Sequence, residues 1–416
     1  MPWIRLLCEN GYEVYAVVAS GAWNDQIEAG GAKFVEWKLS RSGRNPFAEV
    51  GSILGLTKIL RRIKPDIVQN FHTKPNIYAP LAARLAHVPV TVSTVTGLGY
   101  TFVERPGLGG RLAKRLSLGM YSFSNRLASE VTFQNPDDME LLKANGGLPR
   151  QKGHFITGGS GVDVSEYQPD TRNSAQSLKI RQSLGIPDDA FVAMFVGRLQ
   201  LDKGLVEFVE AARRLKKIRD DIVFVMVGAP DPGNKRSISE SMLAQWKSDG
   251  DVVFTGRRED VPDLMAMANT IITPTFYREG LPRTLLEAAA TGLPLIGTDM
   301  PGVREAIGNG VNGTLIPTRD SNALAVAVEE LADDPAKAER YGQASLDRAI
   351  NEFDHRRVIG NYIKMYEQLW TEYPRFGSYS NPSSHSDPRQ YSICNRLYGP
   401  SGSSLRSNVC TSDNSS

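Results

Sequence analysis

Cysteine is scarce in this chain of 416 residues: Cys8, Cys394 and Cys410 are all it has, an odd number with no C-x-x-C pair. That scarcity argues against a disulfide framework and a structural zinc, and fits a reducing compartment. Histidine is sparse too, five residues that do not cluster. No apolar run reaches the roughly 18 residues of a membrane span. The opening residues turn at once into helix-like sequence, so no signal peptide is expected. Excess charge is lacking as well. Lys and Arg number 48 against 46 Asp and Glu, a formal net charge of +2. That balance gives no general attraction for nucleic acid, and any basic function must be local. No solenoid-type repeat is present.

What is there is ordinary apolar material, 41% of the chain, in a length that predicts two domains. From Glu13 to about Leu369 short apolar strands alternate with amphipathic helices. EVYAVVA, DIVQNF, VPVTVSTV and EVTFQN read as strands of the first half. FVAMFVG, DIVFVMVG, DVVFTG, TIITPT and LPLIGT read as strands of the second. Near-continuous apolar runs rich in β-branched residues suit strands buried on both faces. Alternating β and α units imply parallel sheets with helices on both sides. The fold class is therefore α/β, two doubly wound Rossmann-like domains. The break falls in the polar stretch from Pro169 to Ser177. This gives a first domain over 1–170, a second over 178–352, and a helix over 353–373 packing back toward the first. The Ser-, Asn-, Gly- and Pro-rich segment 374–416 is expected to be a disordered tail. In such sheets ligands bind at the carboxyl ends of strands, here in the crevice between domains.

The opening PWIRLLCENGYEVYAVVA reads as the end of a helix followed by a strand. A doubly wound domain should begin with a strand and a glycine-rich turn, and that strand is usually central. Its absence would leave neighbouring strands unpaired, with a slot in the core. Either sequence precedes Met1 in the complete protein, or the domain closes the gap another way.

Four strand ends carry the chemistry. In FVGRLQLDKG a buried strand ends at Gly197; Arg198 follows, and Lys203 and Gly204 open a helix. Helix N-termini attract phosphate, and two cations beside one would hold a diphosphate; solvated surface charges are the alternative. VMVGAPDPG ends a strand at Gly228, which would border the same cleft or simply turn the chain. In FTGRREDVPDL, Arg257 and the backbone stand where a nucleobase edge would be read, while Asp260 reads as a helix cap. In YREGLPRTLLE, Glu279 and Glu287 flank a glycine, a proline and the first turns of a helix. Gly280 permits close backbone approach. Glu287 falls in a run of alanines and leucines, where a buried carboxylate needs partners. Ribose hydroxyls would serve; for either glutamate a structural salt bridge to Arg278 or Arg283 is the alternative.

These segments together resemble the donor domain of the GT-B glycosyltransferases, specifically the retaining family 4. GRLQLDKG is similar to that family's phosphate-binding segment, EGLPRTLLE to its E-x7-E signature, and GLPLIGTDMPGVREAIGNGVNGTLIP to the segment after it. The resemblance spans about residues 3 to 370. It implies that Arg198 and Lys203 bind the donor diphosphate, Glu279 contacts the transferred sugar and Glu287 the ribose. Backbone at Gly280 and Leu281 would face the sugar or phosphate. It implies a UDP-sugar donor carrying a hexose or N-acetylhexosamine, and neither a cofactor nor a metal. Asp249 and Asp251 resemble a metal-binding DxD motif, but with Gly250 they read better as a turn.

In the first half, FHTKPNIYAPLAARLAHVPVTVSTVTGLGYTF resembles the acceptor domain of a subgroup acting on polyprenyl-diphosphate-linked sugars in surface-polysaccharide, lipopolysaccharide and glycan assembly. His72 and Lys74 would face the cleft, His72 binding substrate or moving a proton, or having no role. Gly97 and Gly99 would let backbone approach the sugar or diphosphate. Where many members carry a histidine before the first of these glycines, this chain has Thr96. Residues 105–130 form a basic amphipathic stretch with Arg111, Lys114 and Arg115. It is either a solvated helix face or a dock for an anionic membrane surface, where a lipid-linked acceptor resides. The expected place is cytoplasmic, peripheral at the inner face of the cytoplasmic membrane. Two alternatives stand beside a retaining transferase: a nucleotide-sugar-binding assembly subunit impaired in catalysis, and a sugar-nucleotide epimerase.

Overall fold

A computed structural model describes residues 2–21, 23–39, 46–102, 107–169, 174–231, 233–372 and 389–394. Its strands form two fully parallel sheets. The first holds β1 (Tyr12–Val18), β2 (Lys33–Glu36), β3 (Ile67–Phe71), β4 (Val90–Val95), β5 (Glu130–Phe133) and β6 (His154–Phe155). The second holds β7 (Phe191–Val196), β8 (Ile222–Val227), β9 (Val253–Gly256), β10 (Thr270–Thr273), β11 (Leu295–Thr298) and β12 (Gly313–Ile316), in the order β12-β11-β10-β7-β8-β9. Every residue of β3, β4, β10 and β11 is buried. Helices on both faces cover them, which is why they read as runs rich in apolar and β-branched residues, although β3 and β4 also bury Gln69, Asn70, Thr91, Ser93 and Thr94. The short strands β2, β6 and β12 escape that signal because they are edge or near-edge strands with mixed exposure.

The first sheet corrects two expectations. Its order is β2-β1-β13-β3-β4-β5-β6, where β13 is Arg389–Cys394. This strand comes from the segment expected to be a disordered tail. It lies in the slot expected to be empty, parallel to β1 with Tyr12 opposite Arg389, and parallel to β3 with Tyr391 opposite Ile67. The physical reason is the demand of two facing strand edges, whose N–H and C=O groups need partners once buried. RQYSIC contains β-compatible residues and no glycine or proline to oppose pairing. The remainder of that segment, 374–388 and 395–416, lies outside the described residues.

The chain crosses between the sheets twice, side by side. Val162 N–H donates to the Phe353 carbonyl at 2.9 Å, and His355 N–H to the Val162 carbonyl at 2.9 Å. Beyond this crossing the helix His355–Glu372 packs on the first sheet, burying Val358, Ile359, Tyr362 and Tyr366 against Ile4, Leu7 and Val92. Each such apolar side chain contributes roughly 1.5–3 kcal/mol. The Tyr366 hydroxyl donates to Gln69 Oε1 on β3 at 2.7 Å. The last long helix thus belongs to the first domain's core and ties the two domains together.

Candidate active site

The carboxyl ends of the two sheets face each other, and the loops leaving them meet. The loop after β10 crosses to the first domain. Gly99 N–H donates to the Arg278 carbonyl at 3.1 Å, and Gly280 N–H to the Thr96 carbonyl at 3.1 Å. Leu281 N–H donates to Gln134 Oε1 at 3.3 Å, and Asn135 Nδ2 to the Gly280 carbonyl at 3.3 Å. The approach is possible because Gly97 has no side chain: a Cβ there would sit 2.5 Å from Gly280 N and 2.7 Å from Glu279 C. Gly97 also has φ +110°, a region L side chains avoid.

This modifies the expectation for four residues. Gly97 and Gly99 admit the neighbouring loop 277–281. The amides of Gly280 and Leu281 are engaged across the cleft rather than open to a ligand. The reason is that backbone groups closed into the contact need partners, and they find them in the facing backbone and in the side-chain amides of Gln134 and Asn135.

On the donor side, Lys203 and Glu279 come together at 2.6 Å, both largely buried. They meet because the loop after β10 is bonded to the turn before Lys203: Phe276 N–H and the Thr275 hydroxyl both donate to the Asp202 carbonyl, at 3.1 and 3.2 Å. Lys203 ends a 3-10 turn, and the helix Leu205–Lys216 starts two residues later. Glu279 Oε2 takes the lysine; Oε1 is buried with no hydrogen-bond partner among the described residues. Arg198, about half exposed, pairs with Asp231 at 3.2 Å. Gly228 lies where the ends of β7 and β8 touch: its N–H donates to the Gly256 carbonyl at 3.0 Å, and a Cβ would fall 1.8 Å from the Gly197 oxygen. Arg257 is exposed at the end of β9.

Glu287 is 3% exposed and accepts from Arg283 Nε at 2.8 Å. Tyr167, in the chain between the domains, is hydrogen-bonded to it as well. Burial pushes the Glu287 carboxyl up, and Arg283 and Tyr167 oppose that rise. Of the two salt-bridge partners considered for Glu287, Arg283 is the one found. Arg278 goes elsewhere, to Asp138 at 2.9 Å.

On the acceptor side, His72 Nδ1 lies 2.8 Å from the Thr96 hydroxyl, at φ +67°, which is uncommon for a non-glycine residue. Lys74 is not placed in the cleft by its contacts: its ammonium binds Glu49 on the helix Pro46–Ile63, at 3.0 Å. Being one turn position further into the helix Thr73–Leu85 turns it toward the neighbouring helix. Asp249 and Asp251 both accept from Arg213, at 2.7 and 2.9 Å. Asp260 occupies an N-cap position without a capping side-chain bond, because its carboxylate binds Arg258 at 2.5 Å. Gln134, Asn135, Asp138 and Tyr167 are site residues that sequence reasoning missed. N-P-D-D after a strand signals a helix cap, which Asn135 indeed forms, but nothing local marks it as facing another domain.

Two Rossmann-like parallel sheets meeting over a cleft, with the buried Lys203–Glu279 pair in it, are the GT-B arrangement of glycosyltransferases. The family description "Glycosyl transferases group 1" matches residues 176–348, and "Glycosyl transferase 4-like" matches residues 1–135. The chain thus carries a 4-like and a group 1 glycosyltransferase domain in tandem and is a transferase enzyme. It is 27% identical over 369 residues to N,N'-diacetylbacillosaminyl-diphospho-undecaprenol alpha-1,3-N-acetylgalactosaminyltransferase of Campylobacter jejuni, covering 89% of this chain and 94% of that one. It is 28% identical to UDP-Gal:alpha-D-GlcNAc-diphosphoundecaprenol alpha-1,3-galactosyltransferase of Escherichia coli, over 69% of this chain and 71% of that one. Among solved structures, Anabaena Alr3699/HepE in complex with UDP-glucose superposes with a TM-score of 0.73 at 19% identity, covering 88% of this chain and 95% of that one. That likeness is one of fold.

Proposed function

We propose that this enzyme moves a hexose or N-acetylhexosamine from a UDP-sugar to a polyprenyl-diphosphate-linked saccharide, with retention at the anomeric carbon. The observation that carries the reading is Glu279: one oxygen held by Lys203, the other buried and without a partner among the described residues. A buried carboxylate oxygen without a donor is costly, and a sugar hydroxyl would supply one. Lys203 and Arg198 stand on the same strand ends to receive the diphosphate. As the glycosidic bond breaks, the leaving nucleoside diphosphate gains negative charge and the anomeric carbon becomes oxocarbenium-like. Fixed cations stabilise that charge more in the transition state than in the ground state. Glu287, already paired with Arg283, would take ribose hydroxyls at the edge of that network. Relatives whose names state diphospho-undecaprenol-linked substrates support the acceptor class.

The acceptor reading also places the enzyme at an anionic membrane surface. No helix among the described residues is long and apolar enough to cross a membrane. The helix Leu108–Leu127 instead exposes Leu108, Leu112 and Leu116 by 83%, 70% and 65%, in line at four-residue spacing. Arg111 and Arg115 are exposed beside them, and Lys114 is half-buried. Apolar side chains flanked by cations suit an interface with acidic headgroups. The test is transfer from a panel of nucleotide sugars to lipid-linked acceptors in anionic and neutral vesicles. Transfer from a UDP-sugar that is lost in Lys203→Ala and Arg198→Ala is expected. Wild-type turnover in those variants overturns the donor assignment, and equal activity on both vesicle types overturns the membrane assignment.

A further inference from the structure

We propose that Asp138 and Arg278 are positioning residues for the transfer step: together they lock the loop 277–281 of the donor domain to the acceptor domain and so aim Glu279. The proposal rests on the reading of Glu279 as the carboxylate that meets the transferred sugar.

Arg278 and Glu279 are neighbours in sequence and go opposite ways. Glu279 turns into the donor domain to Lys203, while Arg278 reaches the other domain. There its Nε and a terminal nitrogen both lie 2.9 Å from Asp138 Oδ1. The Asp138 side chain is 1% exposed and its remaining valences are also filled. Oδ2 accepts from Asn135 Nδ2 at 3.1 Å, its own N–H donates to Asn135 Oδ1 at 2.8 Å, and the Leu98 amide donates to the carboxylate. One aspartate thus joins the loop after β4, the helix start after β5 and the loop after β10. The Arg278 carbonyl is held as well, by Gly99 N–H at 3.1 Å. On the far side of Glu279, Gly280 is bonded through both its N–H and its carbonyl, to Thr96 and Asn135. Glu279 is therefore flanked on both sides by residues tied twice to the opposite domain.

A buried ion pair is a poor device for stability alone, because desolvating both charges offsets most of their attraction. Its use here is geometric. A guanidinium with two nitrogens on one oxygen of a fully bonded carboxylate leaves the loop less freedom than a lone ammonium would, and reacting groups displaced by about 1 Å lose on the order of 100-fold in rate. Sequence gives little sign of this, since Asp138 and Arg278 are 140 positions apart.

The experiment uses the full chain with Asp138→Asn, Arg278→Lys and the double variant. UDP affinity by calorimetry, unfolding temperature, and kcat and KM for the donor are measured for each. Both single variants should bind UDP within about threefold of wild type, with kcat per UDP-binding site reduced about 10- to 100-fold. The double variant should be no worse than the poorer single one, because both remove the same contact. A pair that merely glued the domains would lower the unfolding temperature and leave kcat per binding site unchanged; that result overturns the proposal, as do additive losses. If Asp138→Asn does not fold, Arg278→Lys decides, since it keeps the charge and removes only the fork. Failure of the underlying donor reading looks different: the wild type itself would not bind UDP.

Discussion

Gly97→Ala tests the contact between the domains most directly. Two costs arise. The backbone at φ +110° is strained for any L side chain, at about 1–3 kcal/mol. The new methyl would also stand 2.5 Å from Gly280 N, 2.7 Å from Glu279 C and 2.9 Å from the Arg278 oxygen. All three are backbone atoms, so no side chain can swing aside. Relief requires the loops to part by about 1 Å to reach ordinary contact near 3.5 Å. That stretches the bonds Gly99 N–Arg278 O and Gly280 N–Thr96 O, each 3.1 Å now, past useful length. Two hydrogen bonds of about 0.5–1.5 kcal/mol each are lost. The sum is roughly 2–6 kcal/mol against the closed cleft, or at least a 30-fold fall in transfer at about 1.4 kcal/mol per decade. Gly107→Ala is the control: its φ is +99°, yet nothing among the described residues lies within 4 Å of a Cβ there, so it carries strain without clash among them. The assay is kcat/KM for sugar transfer, with UDP binding measured alongside and expected within about threefold of wild type, because Lys203 and Arg198 stay in place. Transfer by Gly97→Ala within threefold of wild type, or an equal loss in Gly107→Ala, would refute the reasoning.

Two further predictions concern the first domain. Burial alone would raise the Glu49 carboxyl, but the Tyr78 hydroxyl at 2.6 Å and the Lys74 ammonium at 3.0 Å outweigh it and hold it below its ordinary value. A carboxyl depressed in the folded state stabilises above its unfolded value, near pH 4.3, and loses that contribution as pH falls through the folded value. Glu49→Gln should therefore lower the unfolding temperature at pH 7, with the gap to wild type closing in acid; a gap that persists below both values contradicts this. A chain ending at residue 388 lacks β13, which pairs with six residues of β1 and four of β3. Its first domain should unfold at lower temperature while the donor domain still binds UDP, as followed by calorimetry and hydrogen exchange of β1 and β3; unchanged exchange there would remove β13 from the sheet.

Much of this was legible in the sequence because it depends on local pattern. Strands buried on both faces are rich in apolar and β-branched residues, so β3, β4, β7, β8, β10 and β11 announce themselves, and with them the two parallel sheets. Strand ends followed by glycine and a helix start point to a crevice, so Arg198, Lys203 and Glu279 could be singled out, and the last long helix could be assigned to the first domain. Tertiary structure alone decided which groups meet. Glu287 had two arginines within reach in sequence and binds Arg283. Lys74, in the first turn of the helix after β3, binds Glu49 on a neighbouring helix. Glycines that permit close approach do not say what approaches; at Gly97 it is the backbone of Gly280. The slot between β1 and β3 was visible as a missing strand, but its occupant, Arg389–Cys394, comes from the other end of the chain. Periodicity and spacing report how each segment meets its own surroundings. Which distant segment completes a charge or a strand edge depends on closing long loops in space, and that has no local signature.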